Sequence, residues 1–195
     1  MSAYFAIPIS DLEERQGASF VSALVDGFEC AKNAEVETFL KRKASSFAKQ
    51  DISVTHLAFN GGGKSFVGYF TLAHKPLSVA AGQLSGTQRR RLSRFAVRDE
   101  ATDSYQPSAF LIAQLGRNFA VPGNEAISGD ELLQMAFDVL AMSQRQIGGQ
   151  VVFLECEEGN GKLLDFYRRN GFVPFGVRES KSDRQTYAQL FAFLH

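Results

Sequence analysis

The side chains able to do chemistry crowd into one stretch near the C-terminal end. Tyr167 stands seven residues after Asn160 and is followed directly by Arg168-Arg169-Asn170-Gly171-Phe172. A phenol stays protonated at neutral pH, so Tyr167 suits proton donation; a tyrosine that packs its own helix is the competing reading. Just upstream, Glu155 and Glu157 share one face of a strand because alternate residues point the same way. Either can take a proton directly or through water, or stand as a strand-end carboxylate. Cys156 points to the opposite face, and no His and Asp pair is placed to activate it as a nucleophile. Asn160 either caps the helix that carries Tyr167 or bonds a ligand. A second candidate lies earlier, where Ser128-Gly129-Asp130-Glu131 reads as a capping box. A helix that starts there, after a strand, offers unpaired amides and a positive dipole end to an anion.

These residues need elements to position them. Ser10-Asp11-Leu12-Glu13 fits a capping box, and Leu12, Phe20, Val21, Leu24, Val25 and Phe28 recur at helical spacing behind it. After Asn33, Val36, Phe39, Leu40 and Phe47 form a second such pattern, so two helices are expected before the first strand. Residues 52–59 and 65–72 are β-rich runs around Asn60-Gly61-Gly62-Gly63-Lys64, the composition of a hairpin. Gly63-Lys64-Ser65 is no Walker loop: Ala58 stands where a glycine is needed, and a strand follows instead of a helix.

Residues 82–107 are polar and turn-rich, a long loop or a short helix. Arg89, Arg90, Arg91, Arg94 and Arg98 cluster there with Asp99, Glu100 and Asp103 behind them. Three readings stay open for this cluster: a solvated face, a dock for an anionic acceptor such as RNA, or a phosphate contact for a cofactor. A nearly continuous apolar strand follows at 108–115, then a loop over 116–127. The helix from Ser128 carries Leu132, Leu133, Met135, Ala136, Val139, Leu140 and Met142, and Gly148-Gly149 ends it. A strand is expected at 150–156, beside the previous one by crossover logic, and a short helix at 160–169, stopped by Asn170-Gly171. Strands at 172–178 and 187–194 close the chain as an antiparallel pair, joined by the charged turn Glu179 to Arg184.

The composition bounds the rest. With 195 residues, 45% apolar and 22% charged, the chain is the size of one globular domain. Its 21 basic and 21 acidic residues cancel, so no whole-molecule field favours nucleic acid or an anionic membrane, and any basic partner site is local. No apolar run is long enough to span a membrane, and the opening MSAYFAIPISDLEERQ lacks a secretory pattern, so a cytoplasmic location is expected. Cys30 and Cys156 are too few for a disulfide scaffold, and His56, His74 and His195 make no metal-ligand spacing.

The stretch from Asn160 through Tyr167 to Gly171-Phe172, within the order strand, capped helix, strand, short helix, strand, resembles the terminal motif of the GNAT N-acetyltransferase superfamily. The resemblance covers residues 52–194. It implies a single mixed α/β domain over residues 1–195, with leading helices in 1–50 and the sheet and cofactor core in 51–195. The sheet would hold six or seven strands, the fourth and fifth splayed apart, with helices on both faces. It implies acetyl-CoA as co-substrate, an amine acceptor, and direct attack in a ternary complex. Tyr167 would then protonate the departing thiolate, with Glu155 as the candidate base. Main-chain groups at Leu115, Gly116 and Arg117 would meet the pantetheine and the thioester, and Asn160 could bond the pantetheine. The diphosphate would rest near Asn124, Ile127, Ser128, Gly129 and Asp130, although of the family's usual Gln/Arg, Gly and Gly/Ala pattern only Gly129 is kept. A small amine, a protein amine or an aminoacyl-tRNA fits as acceptor, and a second copy of the chain is a candidate partner. The depleted phosphate loop also admits a GNAT-fold module that binds CoA or a partner and does no chemistry.

Overall fold

The computed structural model describes residues 4–180 and 184–194. Within them Pro8 ends one element and begins another. With φ −56° and ψ 138° it closes strand β1 (Tyr4–Pro8) and stands just before helix α1 (Ile9–Gln16). β1 pairs antiparallel with β2 (Val54–Asn60), so a strand precedes the leading helices, contrary to the sequence expectation. Its five residues are too few to show a period, and the partner that stabilises them lies far along the chain. The capping box expected at Ser10 is not formed: the helix starts at Ile9, and the Ser10 hydroxyl bonds Asp11 Oδ1 at 3.3 Å.

The two expected helices are four. Gly17, at φ +89°, separates α1 from α2 (Ala18–Asp26), and Lys43 separates α3 (Ala34–Arg42) from α4 (Ala44–Lys49). α3 shows why these segments are helical. Asn33 accepts from the Glu35 and Val36 amides, acids fill the first turn and bases the last, and Glu37 pairs with Lys41 at 2.8 Å. Its Val36, Phe39 and Leu40 stripe is buried with Ile9, Leu12, Val21, Phe28, Leu57 and Tyr69 in one core. Phe20, placed in the predicted stripe of the first helix, is 52% exposed.

The predicted hairpin is present as β2 and β3 (Phe66–Pro76), with Gly63 at φ +67° in its turn. The region read as loop or short helix, 82–107, holds α5 (Gly86–Leu92), β5 (Arg98–Asp99) and β6 (Ser104–Tyr105), and β4 (Val79–Ala80) and a 3-10 turn (Ala81–Gln83) lead into it. Buried Leu77, Val79, Leu84, Leu92 and Tyr105 anchor it, and its strands form a small sheet in the order β4-β6-β5. There follow β7 (Ser108–Arg117), α6 (Gly129–Ile147), β8 (Val151–Glu157), α7 (Gly161–Arg169), β9 (Val173–Glu179) and β10 (Thr186–Phe193), close to the elements expected. Met142, counted in the apolar stripe of α6, is exposed. In the turn predicted between β9 and β10, Lys181, Ser182 and Asp183 lie outside the described residues, as does His195.

The main sheet is mixed and seven-stranded, in the order β1-β2-β3-β7-β8-β10-β9. β7 and β8 are parallel, as the crossover through α6 requires. Their ladder has three pairs, Ala109 with Val151 to Leu111 with Phe153, whereas β8 and β10 share seven. Gly149 sets the close start of that ladder: at φ +100° it passes so near Phe110 that a Cβ would lie 2.8 Å from the ring. By compactness the chain divides into two units, Met1–Ala73 with Ile112–Val139 and His74–Leu111 with Leu140–His195.

Candidate active site

In the first unit, the end of β7 is fixed by two glycines and an asparagine. A Cβ on Gly116 would come within 2.5 Å of Val36 Cγ1 and 3.0 Å of the Tyr69 ring. A Cβ on Gly68 of β3 would lie 2.7 Å from the Gly116 carbonyl oxygen. Both positions are therefore glycine because backbone passes close to its neighbours. Asn118 follows, 6% exposed. Its Nδ2 donates to the Phe66 carbonyl at 2.9 Å, and its Oδ1 accepts from the Glu29 and Ala120 amides, each at 3.1 Å. Its own amide donates to the Val67 carbonyl, and the Phe119 amide to Glu29, at 2.9 and 2.8 Å. Nothing in the sequence pattern marked Asn118 or Gly68, and Gly116 entered only through the family resemblance, because their partners lie in other elements.

The sequence-predicted diphosphate residues lie in the loop and first turn beyond. Asn124 is exposed and Ile127 is a core side chain at 1% exposure, while Leu115, expected at the pantetheine, is half-buried in β7. The capping box at Ser128 is formed: Ser128 Oγ accepts from the Glu131 amide at 3.1 Å, and Glu131 Oε2 accepts from the Ser128 amide at 2.9 Å. Hydrogen bonding from Ser128 holds the Glu131 carboxyl below the usual carboxylate range, and the Arg117 charge adds to this. The helix start thus carries its own anion, with Asp130 beside it. The donor set suits a diphosphate less well there than a bare, glycine-rich helix start would.

In the second unit, Asn160 caps α7, its Oδ1 accepting from the Leu163 amide at 3.1 Å. The far end closes as a Schellman motif. The Phe172 amide reaches the Tyr167 carbonyl and the Gly171 amide the Arg168 carbonyl, each at 3.1 Å, with Gly171 at φ +85°. This gives the Gly-Phe pair a physical reason. Only glycine takes that φ without strain, and the turn folds Phe172 onto Tyr167, ring centroids 5.6 Å apart. Phe166 stacks edgewise on Tyr167 at 5.0 Å. Burial, with Cys156 nearby, pushes the Tyr167 phenol well above its ordinary pKa, so it is held protonated.

Glu155 is not a free carboxylate. Arg178 grips both its oxygens, Nε at 2.9 Å from each and Nη2 at 2.6 Å from Oε2, and Gln189 Nε2 donates at 2.8 Å. Burial alone would raise its pKa, but these partners outweigh it and the net shift is downward. Such a carboxylate is a weak proton acceptor at neutral pH. Glu157, one pleat along, is exposed and opposite Tyr187. Cys156 is buried and its thiol is pushed up to about 11.

The arginine cluster is partly spent within its own unit. Arg91 lies over the Phe193 ring at 4.0 Å, and Arg98 pairs with Asp103, Nε to Oδ1 at 2.7 Å. Arg89, Arg90 and Arg94 are exposed on and just after α5. Among the described residues no helix is long and apolar enough to cross a membrane, and no group of three metal-ligating side chains occurs.

No family model matches the chain, and no curated protein matches it. Solved structures do, at low identity. The toxin AtaT complexed with acetyl-methionyl-tRNAfMet is 14% identical, with a TM-score of 0.61 over 94% of this chain and 93% of that one. A tyrosine-to-phenylalanine mutant of KacT is 19% identical, with a TM-score of 0.62 over 95% and 94%. AtaTR bound with AcCoA is 15% identical, with a TM-score of 0.60 over 100% and 95%.

Proposed function

From the GNAT fold that the chain shares with these structures, we propose that it is an acetyl-CoA-dependent N-acetyltransferase. The amine nitrogen of the acceptor attacks the thioester carbonyl within a ternary complex. As the carbon–sulfur bond breaks, the thiolate takes the Tyr167 phenolic proton, the proton released by the new amide's nitrogen passes to solvent, and solvent returns a proton to the Tyr167 phenolate. What chiefly supports the reading is the shared fold together with the placement of Tyr167, a phenol set on α7 by the Schellman turn beneath it and by the Phe166 and Phe172 rings. Main-chain groups of Leu115, Gly116 and Arg117 serve the acyl and pantetheine portion, a role suited to a strand end whose path two glycines hold fixed. Glu155 acts by holding Arg178 and Gln189 in place instead of taking the proton, while Asn160 serves as a cap.

For the acceptor we favour an aminoacyl-tRNA over a small amine or a protein amine. AtaT, similar in fold, is seen with acetyl-methionyl-tRNAfMet, and Arg89, Arg90 and Arg94 offer exposed positive charge to steer a polyanion. Such an acceptor would be met in the cytoplasm. AtaT is also seen with the C-terminus of the antitoxin AtaR, so a short protein segment is a further candidate partner. Incubation with labelled acetyl-CoA and a panel of aminoacyl-tRNAs, peptides and small amines tests the reading. Label transferred to the aminoacyl-tRNA supports it, and transfer to none of them contradicts it.

One observation favours a second reading, a binding module without chemistry. The Ser128–Glu131 box puts a carboxylate where the diphosphate would sit. Calorimetry separates the two, because a ligand that prefers the native state must raise its apparent stability. Acetyl-CoA binding with a thermal shift supports the enzyme, and neither heat nor shift supports a module that has lost the cofactor.

A further inference from the structure

One cluster of side chains in the first unit has no part in the chemistry described above, where Arg117 serves through its main chain alone. Lys32 Nζ and Arg117 Cζ both lie over the Phe119 ring, at 5.0 and 5.3 Å from its centroid, and that ring is 38% exposed. Neither cation makes a salt bridge among the described residues, although the Arg117 charge acts on the Glu131 carboxyl. Arg117 Nε is buried without a hydrogen-bond partner. Two like charges drawn to one ring repel each other, and a buried donor left unpaired is costly, so the arrangement underuses its donors as it stands.

The cluster is nonetheless built. Lys32 belongs to the loop between α2 and α3, whereas Arg117 and Phe119 flank Asn118. The two segments are stitched together by the Glu29 amide on Asn118 Oδ1 and the Phe119 amide on the Glu29 carbonyl. Asn33, capping α3, fixes the far end of the loop one residue after Lys32. An exposed aromatic ring flanked by two cations outside any salt bridge is the chemistry that holds single-stranded nucleic acid, the ring taking a base and the cations the adjoining phosphate.

We propose that Lys32, Arg117 and Phe119 form a binding site for one nucleotide of a single-stranded RNA end, with its phosphate between the two cations and its base against Phe119. The proposal rests on the RNA-acceptor reading given above and assigns residues to it outside the arginine cluster of α5. It separates the labour: exposed arginines near α5 attract a polyanion from a distance, while the Phe119 platform grips one nucleotide.

Fluorescence anisotropy of a labelled single-stranded RNA dodecamer, titrated with the full chain across a salt series, tests it. Phe119→Ala and Lys32→Ala should each weaken binding about tenfold or more, and Phe119→Tyr should keep most of the affinity. Lys32→Ala should also flatten the slope of log K against log salt by about 0.7, the loss of one phosphate contact on a single strand. Thermal melting of each variant shows that it is folded. The proposal is overturned if the wild-type chain binds no RNA at low salt, or if both alanine variants bind as the wild type does. It is equally overturned if only Arg89→Ala with Arg90→Ala abolishes binding, or if the variants lose acetyl-CoA while retaining RNA. Acetyl-CoA calorimetry on the wild type runs alongside, so a failure of the transferase reading is seen separately from a failure of this one.

Discussion

Two turns that lead from a strand into a helix, β7 to α6 and β8 to α7, are built on opposite plans. At the first, the backbone is committed. Gly116 and Gly68 pass too close to neighbours for a Cβ, Asn118 ties the chain to β3 and to the α2–α3 loop, and a reciprocal box closes the helix start. At the second, the start is held by one asparagine, and a Cβ on Gly159 or Gly161 would meet nothing within 4 Å. What is particular there is a side chain, Tyr167. The contrast teaches that one turn fixes the backbone's shape and the other carries the phenol proposed to react, so substitutions should report on stability at the first and on turnover at the second.

The sharpest way to break that division is Asn118→Ala. It leaves the buried Phe66 carbonyl without its donor and frees the Glu29 and Ala120 amides, and should cost about 2 kcal/mol in urea unfolding. A loss below 1 kcal/mol would mean that the β7 end is held by something else. Gly116→Ala comes next, because the added methyl must displace Val36 or the Tyr69 ring. Overpacking of this kind costs about 1–3 kcal/mol, and a lowered urea midpoint is the readout.

Smaller effects belong to the helix starts. Ser128→Ala removes one half of the box and should cost about 1 kcal/mol. Its partner gives the pH dependence. The folded Glu131 carboxyl sits below its unfolded value, so its contribution is present above the ordinary carboxylate range and disappears as pH falls through the folded value. The stability difference between the wild type and Glu131→Gln should therefore close in acid, and a difference that stays constant would show that the carboxylate charge is not what matters. At the second turn, Gly161→Ala should be neutral or stabilise by about 0.5 kcal/mol, since helical φ is already in place and space is open.

The same contrast explains what could be read from the chain alone. Most local signals survived folding: the Ser128 box, the Asn160 cap, the hairpin glycine and the Gly171 stop all depend on residues a few positions apart, whereas the equally local Ser10 box gave way to a helix that starts at Ile9 beside β1. Long-range ones did not show. β1 exists because of β2, the Gly68 and Gly116 approach needs two strands and α3, and Arg178 reaches Glu155 across β10. The periodicity of the first helix hid its break at Gly17, because apolar spacing continues past a residue whose φ ends the helix. In the 77–107 region, polar composition masked the few apolar anchors that fold it. On α7, the spacing of Asn160, Tyr167 and Gly171 was legible as a capped and stopped helix. The Schellman turn that orients Tyr167 emerged only with the structure.

The most direct test of the account compares Tyr167→Phe with the wild type, measuring acetyl-CoA affinity by calorimetry and acetyl transfer by label. Removing a general acid while keeping the ring should lower turnover about a hundredfold or more with the acetyl-CoA dissociation constant unchanged. Equal turnover in the two proteins would contradict the account.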